Sequence, residues 1–292
     1  MPEYEGVVIR PPSEADSLIL QYTIGCSHNR CIFCPAYKQK RFRIRSLVEM
    51  EQDIRGCLPA CADTRRIFLA DGDALAAPFP DLLALFRLLR SSFPMLQRIG
   101  LYANAKNILG RSVEELRQLR EAGLGILYLG IESGDDELLD WMKKGVTAAE
   151  MAEAGRRVKH AGIKLSVTVL LGIGGAGRSH EHARLTGQLL SIIDPDYVGA
   201  LTTMVVRGTP LYELHQQGRF MLPSAFAMLS ELAEMLSHTD MTRGLFFANH
   251  ASNYLPVRVR MPSERDKGAD MIRNFVREGD ASFLKPEGMR RL

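Results

Sequence analysis

The chain has 292 residues, of which 46% are hydrophobic and 24% charged, with a formal net charge of +3. A chain of that length buries roughly three-quarters of its unfolded surface, so it needs no disulfide or metal staple to hold a core, and so small a net charge gives no argument for a nucleic-acid partner. No apolar run approaches the ~20 residues of a membrane span, and the opening MPEYEGVVIR lacks a signal peptide's basic-then-apolar order, so the sequence predicts a cytoplasmic protein with reduced thiols.

In chain order, residues 1–14 read as an N-terminal extension and SLILQYTI (17–24) as the first strand. Three of the five cysteines follow at once: Cys26, Cys31 and Cys34, spaced C-x4-C-x2-C. Next comes a basic stretch, Lys38, Lys40, Arg41, Arg43 and Arg45, which is either a solvated face or a binder of carboxylate or phosphate. Ser46-x-x-Glu49 is a capping box opening a helix that carries Cys57 and Cys61, read as packed thiols. RIFLA (66–70) is a strand and ends in Asp71-Gly72-Asp73; an apolar helix covers 80–92, and RIGLYA (98–103) is the third strand, followed by Asn104. A capping box at Ser112 and Glu115 starts a helix that Gly123 closes; the fourth strand (125–131) runs into Glu132 and Ser133. Another box at Thr147 and Glu150 starts the helix that ends at Gly162, before the fifth strand (165–171) and Gly172-Ile173-Gly174-Gly175. His180 and His182, two residues apart, do not share a helix face and read as structural. The sixth strand spans 196–206. After Pro210 the pattern changes to a helix over 223–237, a strand or loop through LFFANHASNYLPVRVR, a helix over 263–276, and a polar tail from Asp280 expected to be mobile.

The six strands read as continuous apolar runs, which suits parallel strands covered on both faces. Six β–α repeats predict an α/β fold, a (β/α)6 partial TIM-type barrel over 15–210, with an α-rich C-terminal extension over 211–292 covering it. Ligands then belong at the carboxyl ends of the strands, where the cysteine triplet falls. From spacing alone the triplet admits a zinc site or thiols without metal, and it best suits a [4Fe–4S] cluster with one iron left open. Asp71 and Asp73 can be a turn and a helix cap. Glu132 closes an apolar strand, where a lone carboxylate is costly, and so calls for a partner.

Together these stretches resemble the radical S-adenosylmethionine (radical SAM) superfamily, whose usual signature is C-x3-C-x-aromatic-C. This chain has one extra residue in the first gap and keeps the aromatic as Phe33, directly before Cys34. The resemblance implies that Cys26, Cys31 and Cys34 hold a [4Fe–4S] cluster, with Phe33 beside it. SAM's amino and carboxylate groups then chelate the fourth iron, and an electron from the cluster cleaves SAM to methionine and a 5′-deoxyadenosyl radical. That radical takes hydrogen from a small-molecule substrate, here unidentified and of anionic character. It implies as well an electron donor of flavodoxin or ferredoxin type. Asp71, Gly72 and Asp73 stand where the family holds the SAM ammonium, and Asn104 matches the Asn of an E-x-N-P. Glu132 and Ser133, with Asp135, Leu138, Leu139, Met142, Lys143 and Gly145, are similar to a G-x-E-S…L…M-x-K-G run whose Glu meets the ribose. Gly172 and Gly174 match a G-x-x-G that passes the adenine, and Arg207-Gly208-Thr209-Pro210-Leu211 resembles P-G-T-P-L. In motif style the chain is closest to the oxygen-independent coproporphyrinogen oxidase branch. No second cysteine cluster follows Cys61, and no cobalamin-type D-x-H-x-x-G occurs. The competing class is an iron–sulfur electron carrier or binding protein without SAM chemistry.

One polar cluster remains, Asn249, His250, Ser252, Asn253 and Tyr254, between apolar flanks. It is either an exposed turn or part of a cover over the barrel. In the second case His250 is a candidate acid or base and Tyr254 a candidate hydrogen-atom relay.

Overall fold

The computed structural model describes residues 4–291. Its strands, in chain order, are β1 Leu18–Gln21, β2 Thr23–Ile24, β3 Arg43–Ile44, β4 Arg66–Ala70, β5 Arg98–Ala103, β6 Leu124–Glu132, β7 Lys164–Leu171, β8 Tyr197–Thr202, β9 Gly244–Ala248 and β10 Val257–Met261. The helices are α1 Leu47–Cys61, α2 Phe79–Ser92, α3 Ala105–Leu109, α4 Val113–Ala122, α5 Asp136–Trp141, α6 Ala148–His160, α7 Gly175–Ile193, α8 Pro210–Gln216, α9 Ala225–Ser237 and α10 Arg265–Glu278. Strand order is β1-β4-β5-β6-β7-β8-β9-β10, with β1/β4, β4/β5, β5/β6, β7/β8 and β8/β9 parallel and β9/β10 antiparallel. This is an α/β fold of the (β/α)6 partial TIM type, and the six predicted strands are its barrel strands. The three predicted capping boxes all form, at Ser46/Glu49, Ser112/Glu115 and Thr147/Glu150.

The chain forms two compact units, and the division between them does not fall at Pro210. The first unit comprises Met1–Asn29, Ala36–Leu129 and Ala154–Leu165. Its core is apolar strand against apolar helix: Ile67, Phe68 and Leu69 of β4 and Leu82, Leu85, Phe86 and Leu89 of α2 are fully buried. The predicted first strand is broken at Tyr22. Its N–H pairs with Ala70 O (2.9 Å), after which the chain turns to form β2 against β3. Glu14, fully buried, accepts from Arg98 Nη2 (2.6 Å), Tyr128 OH (2.5 Å) and Ser17 Oγ (2.5 Å), so the segment before β1 is an integral joint of this unit.

The second unit comprises Arg30–Pro35, Gly130–Glu153 and Ser166–Leu292. Here the extension contributes helices and also two strands. β9 continues the parallel series beside β8, and β10 closes the edge. Along β10, Val257, Val259 and Met261 are buried while Arg258 and Arg260 are exposed; edge charges of that kind discourage pairing with another chain. The polar tail, expected to be mobile, ends instead on a fully buried arginine. Arg290 donates to Ser252 O (2.6 Å), Thr203 O (2.9 Å) and Tyr254 OH (2.7 Å), pairs with Glu287 (2.6 Å), and stacks over the Tyr254 ring at 4.2 Å. Among the described residues no helix is long and apolar enough to cross a membrane.

Arg290→Met leaves two buried carbonyls without donors. We expect it to lower stability by roughly 2 kcal/mol and to make limited proteolysis cut first within 280–291, read by denaturant melts and mass spectrometry of the fragments.

Candidate functional site

In the first unit the chain around Cys26 is fixed by the end of β4. Asp71 N–H donates to Thr23 O (3.3 Å), Gly25 N–H to Asp71 Oδ2 (2.9 Å), and Gly72 N–H to Gly25 O (3.1 Å). Gly72 is required for this approach: a Cβ there would lie 2.6 Å from the Tyr37 ring and 2.9 Å from Cys26 Cβ. Asp71 is fully buried, and its Oδ2 also takes Lys40 Nζ (2.7 Å) and Gln21 Nε2 (3.1 Å), while Oδ1 is buried without a hydrogen bond. Lys40 thus neutralises Asp71. Arg45 likewise pairs with Asp53 (2.6 Å) and Arg43 with Glu49 (2.9 Å), so three of the five cations of the basic stretch serve the protein's own carboxylates.

Asp73 is different. It precedes the short 3-10 turn Ala74–Ala76 but caps nothing with its side chain. Its carboxylate, also fully buried, accepts from Ser27 Oγ, Asn104 Nδ2 and Asn107 Nδ2 on Oδ2, and from Asn104 N–H (3.3 Å) on Oδ1. All of these donors are neutral. Burial pushes the Asp73 carboxyl up to about 6, against the downward pull of the hydrogen bonds. Asn104 has a second duty as the N-cap of α3, accepting from Asn107 N–H (3.0 Å). Ser27 and Asn107 belong to none of the motifs read in the sequence. Asn107 had a signal: it occupies the third helical position, where a capping box would place Glu or Gln.

In the second unit, the segment that carries Cys31, Phe33 and Cys34 is anchored by the residue between them. Ile32, buried, donates its N–H to Met142 O (3.0 Å) and accepts Leu211 N–H on its carbonyl (3.0 Å). The Thr209-Pro210-Leu211 run is therefore structural as it stands, with Thr209 capping α8 and Pro210 at its first position. None of the five cysteines is in a disulfide; Cys26, Cys31 and Cys34 are partly exposed and Cys57 is buried. The donor set suits thiolate ligation of iron. Among the described residues no three His, Cys, Asp or Glu side chains gather about a point for a single ion. Thiolates bound to different irons of one cluster stand farther apart than the ligands of one ion.

Glu132 ends β6 with a left-handed φ of 64°, and Ser133 N–H reaches Ile131 O at 2.7 Å, a tight turn that is strained for any residue with a side chain. Its carboxylate has the partner that burial demanded, Lys144 Nζ at 2.8 Å. Lys143, the lysine that matches the family run, has a φ of 56° and turns the chain so that the next lysine makes the pair. Ser133 bonds His182 and accepts Asp135 N–H (3.0 Å). Gly172 is buried and donates its N–H to Glu231 (2.7 Å). Gly174 borders a cleft of about 530 Å³ with Leu138 and the stacked pair Trp141–Phe220, whose ring centroids are 5.7 Å apart.

His250 and Tyr254 lie in the β9–β10 connection. Because β9 runs parallel to β8, this loop meets the carboxyl end of β8. Ser252 Oγ accepts Thr202 N–H (3.2 Å) and Asn253 Nδ2 donates to Ala200 O (2.9 Å). His250 Nδ1 bonds Ser252 Oγ (2.9 Å), and burial, then Lys285, lower its pKa, so the imidazole is neutral at pH 7. The Tyr254 hydroxyl is engaged by Glu287 (2.6 Å) and Arg290. His182 is buried as expected of a structural residue, and His180 is exposed.

A family model described as the Radical SAM superfamily matches residues 20–186. Among curated proteins, an uncharacterised protein of Methanocaldococcus jannaschii is 22% identical over 279 residues, covering 91% of this chain and 83% of its own length. The tRNA uridine(34) acetyltransferase of the same organism is 26% identical over 109 residues, 37% of this chain and 20% of the acetyltransferase. Among solved structures, the chain is similar in fold to methylornithine synthase, with a TM-score of 0.54 at 20% identity over 77% of this chain and 63% of that one. It is similar also to coproporphyrinogen III oxidase from Escherichia coli, with a TM-score of 0.54 at 15% identity over 76% and 51%. The chain thus spans a fifth of the acetyltransferase and between half and two-thirds of these two solved enzymes.

The Asp73 carboxyl has an unfolded value of 3.8 and a folded one of about 6, so between those values the folded state holds more protons and stability falls as pH rises. Asp73→Asn keeps the shape without the charge. We expect the ligand-free variant to be more stable than the parent at pH 7 by roughly 2 kcal/mol, with the gap closing toward pH 4, read by urea melts across pH.

Proposed function

Because the chain belongs to the radical SAM superfamily, an enzyme class that works with a [4Fe–4S] cluster and S-adenosylmethionine, we propose that Cys26, Cys31 and Cys34 ligate the cluster and that Asp73 receives the SAM ammonium. The observation that carries this reading is the state of Asp73. Asp71, Glu132 and the other buried carboxylates of the two units have a cation or an imidazole of the protein at hand, whereas Asp73 keeps a raised pKa among neutral donors, one residue from the glycine against which Cys26 rests. A buried anion without its counter-charge costs stability, and a cationic ligand removes that cost. Bound together, cluster and SAM would supply radical chemistry for removing hydrogen from the substrate.

The chain's own residues bind and orient. Asn104, Asn107 and Ser27 aim the Asp73 carboxylate, and Lys144 holds Glu132, proposed to meet the ribose from its strained turn. Gly172 and Gly174 would offer backbone without side chains to the adenine, and Phe33 would lie beside the cluster. The substrate is proposed to be a small molecule with anionic groups. Support comes from a cleft of about 670 Å³ lined by Ile32 and by two cations, Lys143 and Arg219, against one carboxylate, Glu213. His250, neutral and half-buried, is the proposed acid–base group of the covering loop; Tyr254, its hydroxyl already taken, anchors the tail rather than relaying hydrogen. The electron donor is proposed to be of flavodoxin or ferredoxin type.

Anaerobic reconstitution is expected to give about four iron and four sulfide per chain, lost in Cys26→Ala, Cys31→Ala or Cys34→Ala and kept in Cys57→Ala. Reduced protein should convert SAM to 5′-deoxyadenosine and methionine, and Asp73→Ala and Glu132→Ala should each weaken SAM binding by roughly 1–3 kcal/mol. Zinc without sulfide would overturn the reading. A cluster without any SAM affinity would point to an electron carrier instead.

A further inference from the structure

The two strand ends proposed to meet the nucleoside part of SAM meet a buried polar cluster whose central residues, His182 and Glu231, belong to no sequence motif. It begins at Ser133 Oγ, 2.8 Å from His182 Nδ1. The other ring nitrogen, Nε2, lies 2.8 Å from Leu170 O; a carbonyl only accepts, so Nε2 carries a proton. Nε2 is also 3.5 Å from Glu231 Oε1. Glu231 accepts the Gly172 N–H on Oε1 (2.7 Å) and the Ser179 hydroxyl on Oε2. The side chains of His182 and Glu231 are both 0% exposed.

Glu231 belongs to α9, beyond Pro210. One turn earlier, Met228 presses on the same glycine: a Cβ on Gly172, whose φ is 78°, would lie 2.9 Å from Met228 Sδ. An apolar side chain at 231 would hold α9 against this turn as well as glutamate does, without the desolvation that raises the Glu231 carboxyl. What an apolar side chain cannot do is accept the Gly172 amide, which lies past the end of β7 and finds its acceptor in Glu231. On the His182 side, Ser133 is the residue after Glu132 and fixes the exit of its strained turn.

We infer that Glu231 and His182, side by side at 3.5 Å, are positioning residues for the cofactor: His182 fixes, through Ser133, the turn that presents Glu132, and Glu231 fixes, through the Gly172 amide, the turn that begins there. The inference rests on the reading that these turns meet SAM. It goes further in making a residue of the C-terminal extension part of the binding apparatus.

The test uses the full-length, reconstituted protein and two substitutions. Glu231→Gln keeps an acceptor for the Gly172 amide; Glu231→Met fills the space and offers none. Both variants are expected to carry the cluster. Glu231→Met should raise the Kd for SAM and for S-adenosylhomocysteine at least tenfold and speed deuterium exchange of the amides at 170–176, whereas Glu231→Gln should stay within about threefold of the parent on both measures. A folded Glu231→Met with unchanged Kd, or one that loses only melting temperature, overturns the inference. Should Glu231→Met fail to fold, Ser179→Ala, which removes only the hydroxyl that orients Glu231, should still weaken both ligands about threefold; unchanged affinity there overturns it equally. Parent protein that binds no SAM sinks the functional reading itself, a result distinct from a parent that binds and variants that bind alike.

Discussion

A strand leaving a parallel sheet strips its last amides of partners, and buried backbone donors cannot be left so. In this protein buried carboxylates take them up. Asp71 accepts Gly25 N–H, Asp73 accepts Asn104 N–H, and Glu231 accepts Gly172 N–H. The architecture of the site follows from this choice. A carboxylate satisfies the amide but brings a charge indoors, and each such charge needs an answer. Lys40 answers Asp71, His182 stands beside Glu231, and Lys144 meets Glu132, which closes the fourth barrel strand. Asp73 receives only hydroxyl and amide donors. This is the ground on which Asp73 is proposed to receive a cation from outside.

The same logic explains why the motifs of the chain look degenerate. Asp71 and Asp73 stand two residues apart and are equally buried, yet one closes the loop before Cys26 and the other has only neutral donors. Thr209, Pro210 and Leu211 cap α8 and pin Ile32, so their chemistry is that of the scaffold. Residue type alone does not separate these tasks; the identity of the nearest donor does.

Much of the frame was legible because it depends on local signals. Continuous apolar runs gave the six barrel strands, and Ser or Thr three residues before Glu gave three helix starts. The break at Tyr22 was hidden, since its neighbours Leu20 and Ile24 are as apolar as any strand; only the pairing of its amide with Ala70 reveals it. β9 and β10 were blurred by the polar loop between them, although Val257, Val259 and Met261 alternate with arginines in the period of a half-buried strand. Within the site, the cysteines and acidic residues stood out, but their partners did not. Lys144 belongs to none of the motifs, and it reaches Glu132 from beyond the left-handed Lys143. Glu231 had left a trace: it interrupts the apolar stripe of Met228, Leu232 and Met235, where a charge is out of place unless it has work.

The anchoring of Ile32 also bears on how the molecule is made. The segment with Cys31 and Cys34 emerges early in synthesis, but its two backbone anchors, Met142 and Leu211, belong to the end of α5 and to α8, far later in the chain. Contacts so distant in sequence form late. The loop therefore stays loose on the ribosome until most of the protein exists. If its thiols hold the proposed cluster, loading of iron and sulfide becomes a step that follows translation, and the nascent loop must be kept reduced while it waits.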